Sequence, residues 1–195
     1  MGTMIQMSTY FIQAVAGLYL GIILVRLLLQ LSRADFFNPV SQFVVKATAA
    51  PLALLGRVIP PIKQFNTASL VFALLLQWLV IQVTVTINGG GMINPLYCLE
   101  WGLLGIISLT LDLYFYGLLA AIIISWVAPQ SRHPLVSLVW QIMEPVMAPC
   151  RRVIPSFGGI DLSPLLIFIV INMLRIFVAN LARAAMLPAG FVPGI

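Results

Sequence analysis

Hydrophobic positions gather into four long blocks, over residues 10–31, 69–87, 101–127 and 164–186. Each is close to or above the ~20 apolar residues that a helix needs to cross a bilayer. The third is longer than that, so the pattern predicts a span that tilts, bends or projects. Segment 88–99 between the inner blocks carries Gly89, Gly90, Gly91 and Pro95 without a charge and reads as a plain turn. The outer connections, 32–68 and 128–163, are basic and punctuated by proline.

Inside those two connections the apolar residues take a helical period. After His133-Pro134, residues Leu135, Leu138, Val139, Ile142 and Val146 share one face, opposite Ser137, Gln141 and Glu144. After Asn38-Pro39, residues Val40, Phe43, Val44 and Ala47 do the same, opposite Ser41, Gln42 and Lys46. The pattern predicts amphipathic helices over 39–57 and 134–152. Pro51 and Pro145 are expected to interrupt them, because proline lacks an N–H donor and crowds the preceding turn. Pieces so short do not span. They either lie in the interface with the apolar face at the acyl boundary or re-enter the membrane.

The two halves repeat. An offset of 95 places Asn38-Pro39 on His133-Pro134, Arg57-Val58-Ile59-Pro60 on Arg152-Val153-Ile154-Pro155, Ala53 on Ala148 and Asn66 on Asp161. Each unit reads span, amphipathic segment, Arg-Val-Ile-Pro, span. An even number of spans per unit makes the halves parallel, with residues 20–86 expected to superpose on 115–181 about an axis normal to the membrane. The division is 1–88 and 89–195.

Composition turns this pattern into a class. The chain of 195 residues is 62% apolar and 8% charged, with mean hydropathy +1.09. Soluble domains carry ~25% charged residues, and a soluble chain of this size cannot hide so much apolar surface. A soluble enzyme is excluded. Seven of the ten Lys and Arg residues fall in the two basic connections, which the positive-inside rule assigns to the cytoplasm. Both termini are then extracytoplasmic, with Arg183 near the outer end of the fourth span as the exception. The net charge of +5 is accounted for by the membrane, so no nucleic-acid partner is expected. The first cation, Arg26, lies near the C-terminal end of its apolar block, the reverse of a cleavable signal's basic start. Cys98 and Cys150 fall on opposite faces and form no bridge.

Candidate chemistry is sparse. His133 is the sole histidine, so paired-histidine haem ligation and a His-rich metal site are absent, and its match to Asn38 points to helix capping. Gly89-Gly90-Gly91 lacks the Lys-Ser/Thr of a phosphate loop. Gly17 and Gly21 have the spacing of closely packed membrane helices. No catalytic, cofactor-binding or metal-binding residue is predicted. Asp112 and Arg175 each lie 11 residues into antiparallel spans. That puts both near the midplane, where a lone charge is costly and a pair is tolerated. Gln77, Gln82 and Asn172 could extend such a network, and Arg26 could snorkel out. Arg57 and Arg152 either snorkel to the headgroups or bind the cap residues Asn66 and Asp161 or an anionic headgroup.

Asp35-Phe36-Phe37-Asn38-Pro39, the two Arg-Val-Ile-Pro motifs, Glu144-Pro145 and Gly158-Gly159-Ile160-Asp161-Leu162-Ser163-Pro164 together resemble the YggT family of bacterial inner-membrane proteins. Single-repeat YlmG proteins and plastid proteins are related to it. The first copy departs from the pattern by keeping Asn66 in place of Gly-Gly-Ile-Asp. The resemblance implies a role in osmotic-shock tolerance; YlmG relatives are tied to the division-gene neighbourhood, and plastid relatives to haem attachment and nucleoid organisation. It implies no enzymatic residue. The expected molecule is an all-α membrane protein of four spans in two tandem parallel repeats. Its expected partners are the phospholipid bilayer, anionic headgroups included, and a membrane protein or a second copy of itself. Two functions stay open. One is a non-catalytic organiser of lipid and partner proteins at the cytoplasmic face, favoured by the lack of a continuous polar stripe. The other is a small ion or solute transporter or channel with Asp112 and Arg175 on its path.

Overall fold

The computed structural model describes residues 2–62, 66–153, 161 and 163–195. Its elements are α1 (Gly2–Leu31), α2 (Pro39–Leu55), α3 (Thr67–Ile87), α4 (Pro95–Val127), α5 (Pro134–Val153) and α6 (Ser163–Ala184). Helices α1, α3, α4 and α6 are long and apolar enough to cross a membrane. This is an all-α membrane fold.

Cap chemistry sets the helix starts. Asn38 and Asn94 each precede a proline, and their Oδ1 atoms accept from the N–H of Val40 at 2.9 Å and Leu96 at 3.0 Å. Asn66 Oδ1 accepts from Ser69 N at 3.1 Å, and Asp161 Oδ1 from Ser163 N at 2.9 Å. His133 Nδ1 accepts from Leu135 N at 3.3 Å, the role that Asn38 has in the first half.

Helix ends and membrane blocks do not coincide. The first helix starts at Gly2 and the third long one at Pro95, so the middle turn shrinks to 88–94. Gln6, Ser8 and Thr9 are polar but break no helix, and Asn94-Pro95 is a strong start inside what reads as a turn. At 1.5 Å per residue, the 33 residues of α4 reach ~50 Å, well beyond a ~30 Å hydrocarbon core.

The prolines interrupt nothing. Helix α2 runs through Pro51, and α5 through Pro145 and Pro149. Pro51 would leave the carbonyl of Ala47 without its donor four residues on. The Tyr19 hydroxyl of α1 donates to that oxygen at 3.3 Å. Arg26, also on α1, donates to Val45 O at 3.2 Å and to Thr48 Oγ1 at 2.6 Å. Arg26 is therefore engaged with α2 and does not snorkel.

Packing follows the same scheme in each half. Helix α1 packs on α3, with α2 against both; α4 packs on α6, with α5 against both; α2 touches α5, and α3 touches α4. The inward face of α2 is Ser41, Val44, Thr48 and Leu52, and that of α5 is Leu138, Ile142, Met143 and Met147. Leu135, expected on this face, is exposed. A Cβ on Gly117 would meet Met143 Cε at 2.6 Å. Gly117 lies ten residues before the end of α4, or ~15 Å along it, so α5 packs against the body of the spans. Lys63, Ile154, Pro155, Gly158, Gly159, Ile160 and Leu162 lie outside the described residues.

Candidate functional site: an intramembrane charge pair, a groove and a C-terminal strap

The structure brings Asp112 and Arg175 together. Arg175 Nη2 stands 2.7 Å from Asp112 Oδ1, joining α4 to α6. The guanidinium also lies 4.9 Å from the ring centroid of Phe115, one turn from Asp112. Phe115 in turn meets Phe168 edge-on at 5.1 Å. Carboxylate and aromatic face hold the cation from two directions, which neutralises it where water is scarce.

The other intramembrane polar residues do not join this pair. Asn172 donates to Phe168 O on its own helix at 2.8 Å. Gln82 turns to the 88–94 connection, accepting from Ile93 N at 3.2 Å. Gln77 is completely buried and donates to Pro193 O at 3.4 Å.

Asp112 also borders a groove of about 1000 Å³ between α1 and α4, with Gln13, Gly17, Gly21 and Tyr116 among its walls. The two glycines were expected to seat a neighbouring helix. Instead a Cβ on Gly17 would lie 3.7 Å from Pro193, and Gly21 has no neighbour within 4 Å. Part of the groove wall is the chain after α6, residues 189–195.

That segment is a strap returning into the bundle. Met186 takes a left-handed φ of 52° as the chain leaves α6. Trp101 Nε1 then donates to Ala185 O at 3.0 Å, Gln13 Nε2 to Phe191 O at 2.9 Å and Ser108 Oγ to Gly194 O at 2.5 Å. Val192 is buried. Gly105 makes the close approach possible, since a Cβ there would collide with Gln77 Nε2 and Val192 Cγ1. Sequence reasoning missed the strap because Pro188, Gly190, Pro193 and Gly194 read as a loose end. The usable signal was Phe191-Val192, two apolar residues in a turn-rich tail, with Val192 opposite Gly105 on α4.

At the end where α1 and α4 finish, an ion cluster closes the second half. Arg151 Nε binds Asp161 Oδ2 at 3.0 Å, and Nη1 binds both Glu144 oxygens at 3.1 Å. Of the alternatives open for Arg152, the contact with the cap residue Asp161 is made by Arg151 instead. On α5, residues 144 and 151 stack two turns apart, whereas residue 152 points a further ~100° round the helix. Burial works against the Arg151 charge, but the hydrogen bond to Asp161 and the Glu144 charge outweigh it and raise its pKa. Burial likewise pushes Asp161 up, but hydrogen bonds from Ser163 and Arg151 outweigh it and hold the carboxyl below its ordinary value. Lys46, Arg57, Arg132 and Arg152 are exposed and make no ion pair among the described residues. The halves are tied here by Asn38 Nδ2, which donates to Pro134 O at 2.7 Å, and by Asp35 N, which donates to Gln141 Oε1 at 2.8 Å. Among the described residues no group of three His, Cys, Asp or Glu is placed to hold a metal.

The comparisons with known proteins fit this architecture. A family model described as CCB3/YggT matches residues 5–87 and again 101–182. The chain is 42% identical over 176 residues to an uncharacterized protein of Pseudomonas aeruginosa, covering 89% of this chain and 88% of that one. It is 40% identical over 162 residues to an uncharacterized protein of Vibrio alginolyticus, covering 83% and 87%. It is 34% identical over 176 residues to the uncharacterized Escherichia coli protein YggT, covering 90% and 91%. No solved structure matches the chain.

Proposed function

The chain belongs to the CCB3/YggT family, and from that premise we propose that it is a non-catalytic protein of the bacterial inner membrane that gathers anionic phospholipid, and through it partner proteins, at the cytoplasmic face. Osmotic-stress tolerance is the physiological role that this reading serves. The observation that carries it is the company of the free cations. Lys46, Arg57, Arg132 and Arg152 are exposed at one end of the bundle, where Phe37, Phe43, Leu54 and Val58 also stand exposed. Apolar side chains at the acyl boundary with cations at headgroup depth are what an anionic leaflet binds, at ~1 kcal/mol per Lys or Arg. The positive-inside rule places this end in the cytoplasm and both termini outside.

The experiment is complementation under hypo-osmotic shock. Cells lacking the protein should be rescued by the wild type. A variant with Lys46, Arg57, Arg132 and Arg152 all changed to Gln should insert normally yet restore little survival. Full rescue by that variant would remove the basic end from the function.

A second reading, a small ion or solute transporter, draws on the groove beside Asp112 and on the non-helical strap within the bundle. Irregular backbone at membrane depth is tolerated where it is buried in protein or lines a cavity. Its signature is ion flux in proteoliposomes that Asp112→Asn abolishes.

A further inference from the structure

Two polar side chains in the middle of the spans are only partly satisfied within one chain. Asp112 gives Oδ1 to Arg175, and that oxygen is buried. The side chain is nevertheless 26% accessible and borders the groove between α1 and α4. The oxygen left to the groove is therefore Oδ2, which accepts no hydrogen bond among the described residues. Asn172, on α6, is exposed; its Nδ2 donates to Phe168 O, while its second N–H and its Oδ1 have no partner among the described residues. It comes three residues before Arg175, or ~4.5 Å along α6, so amide and carboxylate lie at nearly one depth. Hydrocarbon satisfies neither. Each also stands on a surface shaped to receive the other. The strap occupies the groove at Gly17, where a Cβ would lie 3.7 Å from Pro193, but a Cβ on Gly21, one turn further on, would meet nothing within 4 Å. The open part of the groove thus has a glycine floor, with Asp112 and Tyr116 on the α4 wall. Asn172 in turn projects from a ridge of exposed apolar residues on α6, namely Ile169, Met173 and Ile176.

We propose that the groove is a docking site for α6 of a second copy of this chain, seated with Asn172 against Asp112. An acyl chain filling the groove would bring no donor to Oδ2 and would leave Asn172 unpaired. A helix carrying an amide at this depth answers both needs, and this chain supplies such a helix itself. The glycine lets the incoming backbone come close. Every copy inserts the same way, so the symmetry axis is normal to the membrane and the depths of the two polar groups are kept. Groove and ridge are different surfaces, so the contact is either exchanged between two copies or closed into a ring. The basic end takes no part, so this goes beyond the lipid reading and does not depend on it.

The test is cross-linking in native membranes between two differently tagged forms of the full chain. Both carry Cys98→Ala and Cys150→Ala; one adds Gly21→Cys and the other Met173→Cys. A short bifunctional thiol reagent should join the two forms to each other and leave either form alone largely unlinked. Asn172→Leu in the second form should lower the yield about fivefold, the equivalent of the ~1 kcal/mol of an interhelical hydrogen bond in a membrane, and Asn172→Gln should restore most of it. Native mass spectrometry of the wild type in detergent covers the case in which a cysteine variant does not fold, with multimers expected that Asn172→Leu shifts toward monomer. Folded forms that do not link, or a wild type that is monomer alone with lipid or another protein in the groove, overturn the proposal. Linkage or multimers that Asn172→Leu leaves unchanged overturn it as well, since the copies then meet elsewhere.

Discussion

The two halves use one scaffold for different chemistry. At the offset of 95, Gly17 matches Asp112, Arg26 matches Ala121, Val80 matches Arg175 and Gln77 matches Asn172. In the first half the intramembrane cation, Arg26, holds a short helix by the Val45 carbonyl and the Thr48 hydroxyl. In the second half the cation, Arg175, holds a carboxylate on a neighbouring span. Gln77 is sealed against the strap, whereas Asn172 bonds only to its own helix. At the basic end, Glu144 and Arg151 fall on Ala49 and Gly56, so only the second half builds an ion cluster. Repetition fixes where helices start and pack. A few unmatched positions decide what each half can do.

The largest expected effect comes from breaking the unmatched pair. Asp112→Asn and Arg175→Gln should each cost less than the ~3–5 kcal/mol of stranding one member of a fully buried pair, because both side chains are partly accessible. The double variant should recover much of the folded yield in detergent, as judged by size-exclusion profiles. Losses that simply add would show that the two residues act separately.

Arg26→Gln tests the counterpart in the first half. It removes charge-assisted bonds to α2, worth about 1.5–3 kcal/mol, and Tyr19→Phe should cost about 1 kcal/mol. Both changes should expose α2 to hydrogen exchange while leaving α5 protected. Equal exchange in α2 and α5 would dissolve the distinction between the halves.

Gly105→Ala should destabilise by about 1–3 kcal/mol, because its methyl group collides with Gln77 and Val192. Gly91→Ala, in open space on the connecting turn, should be close to neutral. Limited proteolysis of the tail is the check, with Gly105→Ala expected to release it.

The smallest effect is on pH. Asp161 has a lowered folded-state pKa, so its stabilisation is complete above the unfolded carboxylate value of about 3.9 and is lost as pH falls through the lower folded value. The carboxylate is partly exposed, so screening limits the gain to less than about 1 kcal/mol. Asn66 does not titrate. Melting below pH 4 should therefore fall further in wild type than in Asp161→Asn, with the added opening at the start of α6 and not of α3.

What the sequence made legible was whatever depends on local pattern or matched depth. The four apolar blocks, the caps at Asn38, Asn66, His133 and Asp161, and the meeting of Asp112 with Arg175 are of that kind. What it hid depends on partners from elsewhere in the chain. Pro51 looks like a helix breaker until Tyr19 supplies the donor for Ala47 O. Arg151 and Arg152 are adjacent in sequence, and only the register of α5 tells which one reaches Asp161. The strap contains little but turn residues, and its place is set by three spans at once.

The lipid-binding basic end is tested most directly by the lipid that stays with the protein. Native mass spectrometry of wild type and of the variant carrying Gln at positions 46, 57, 132 and 152, both extracted from the same membranes, measures it. Wild type should retain phosphatidylglycerol or cardiolipin above its share of the membrane, and the variant should lose that enrichment while keeping its fold. Equal anionic lipid on both proteins would contradict a lipid-gathering cytoplasmic face.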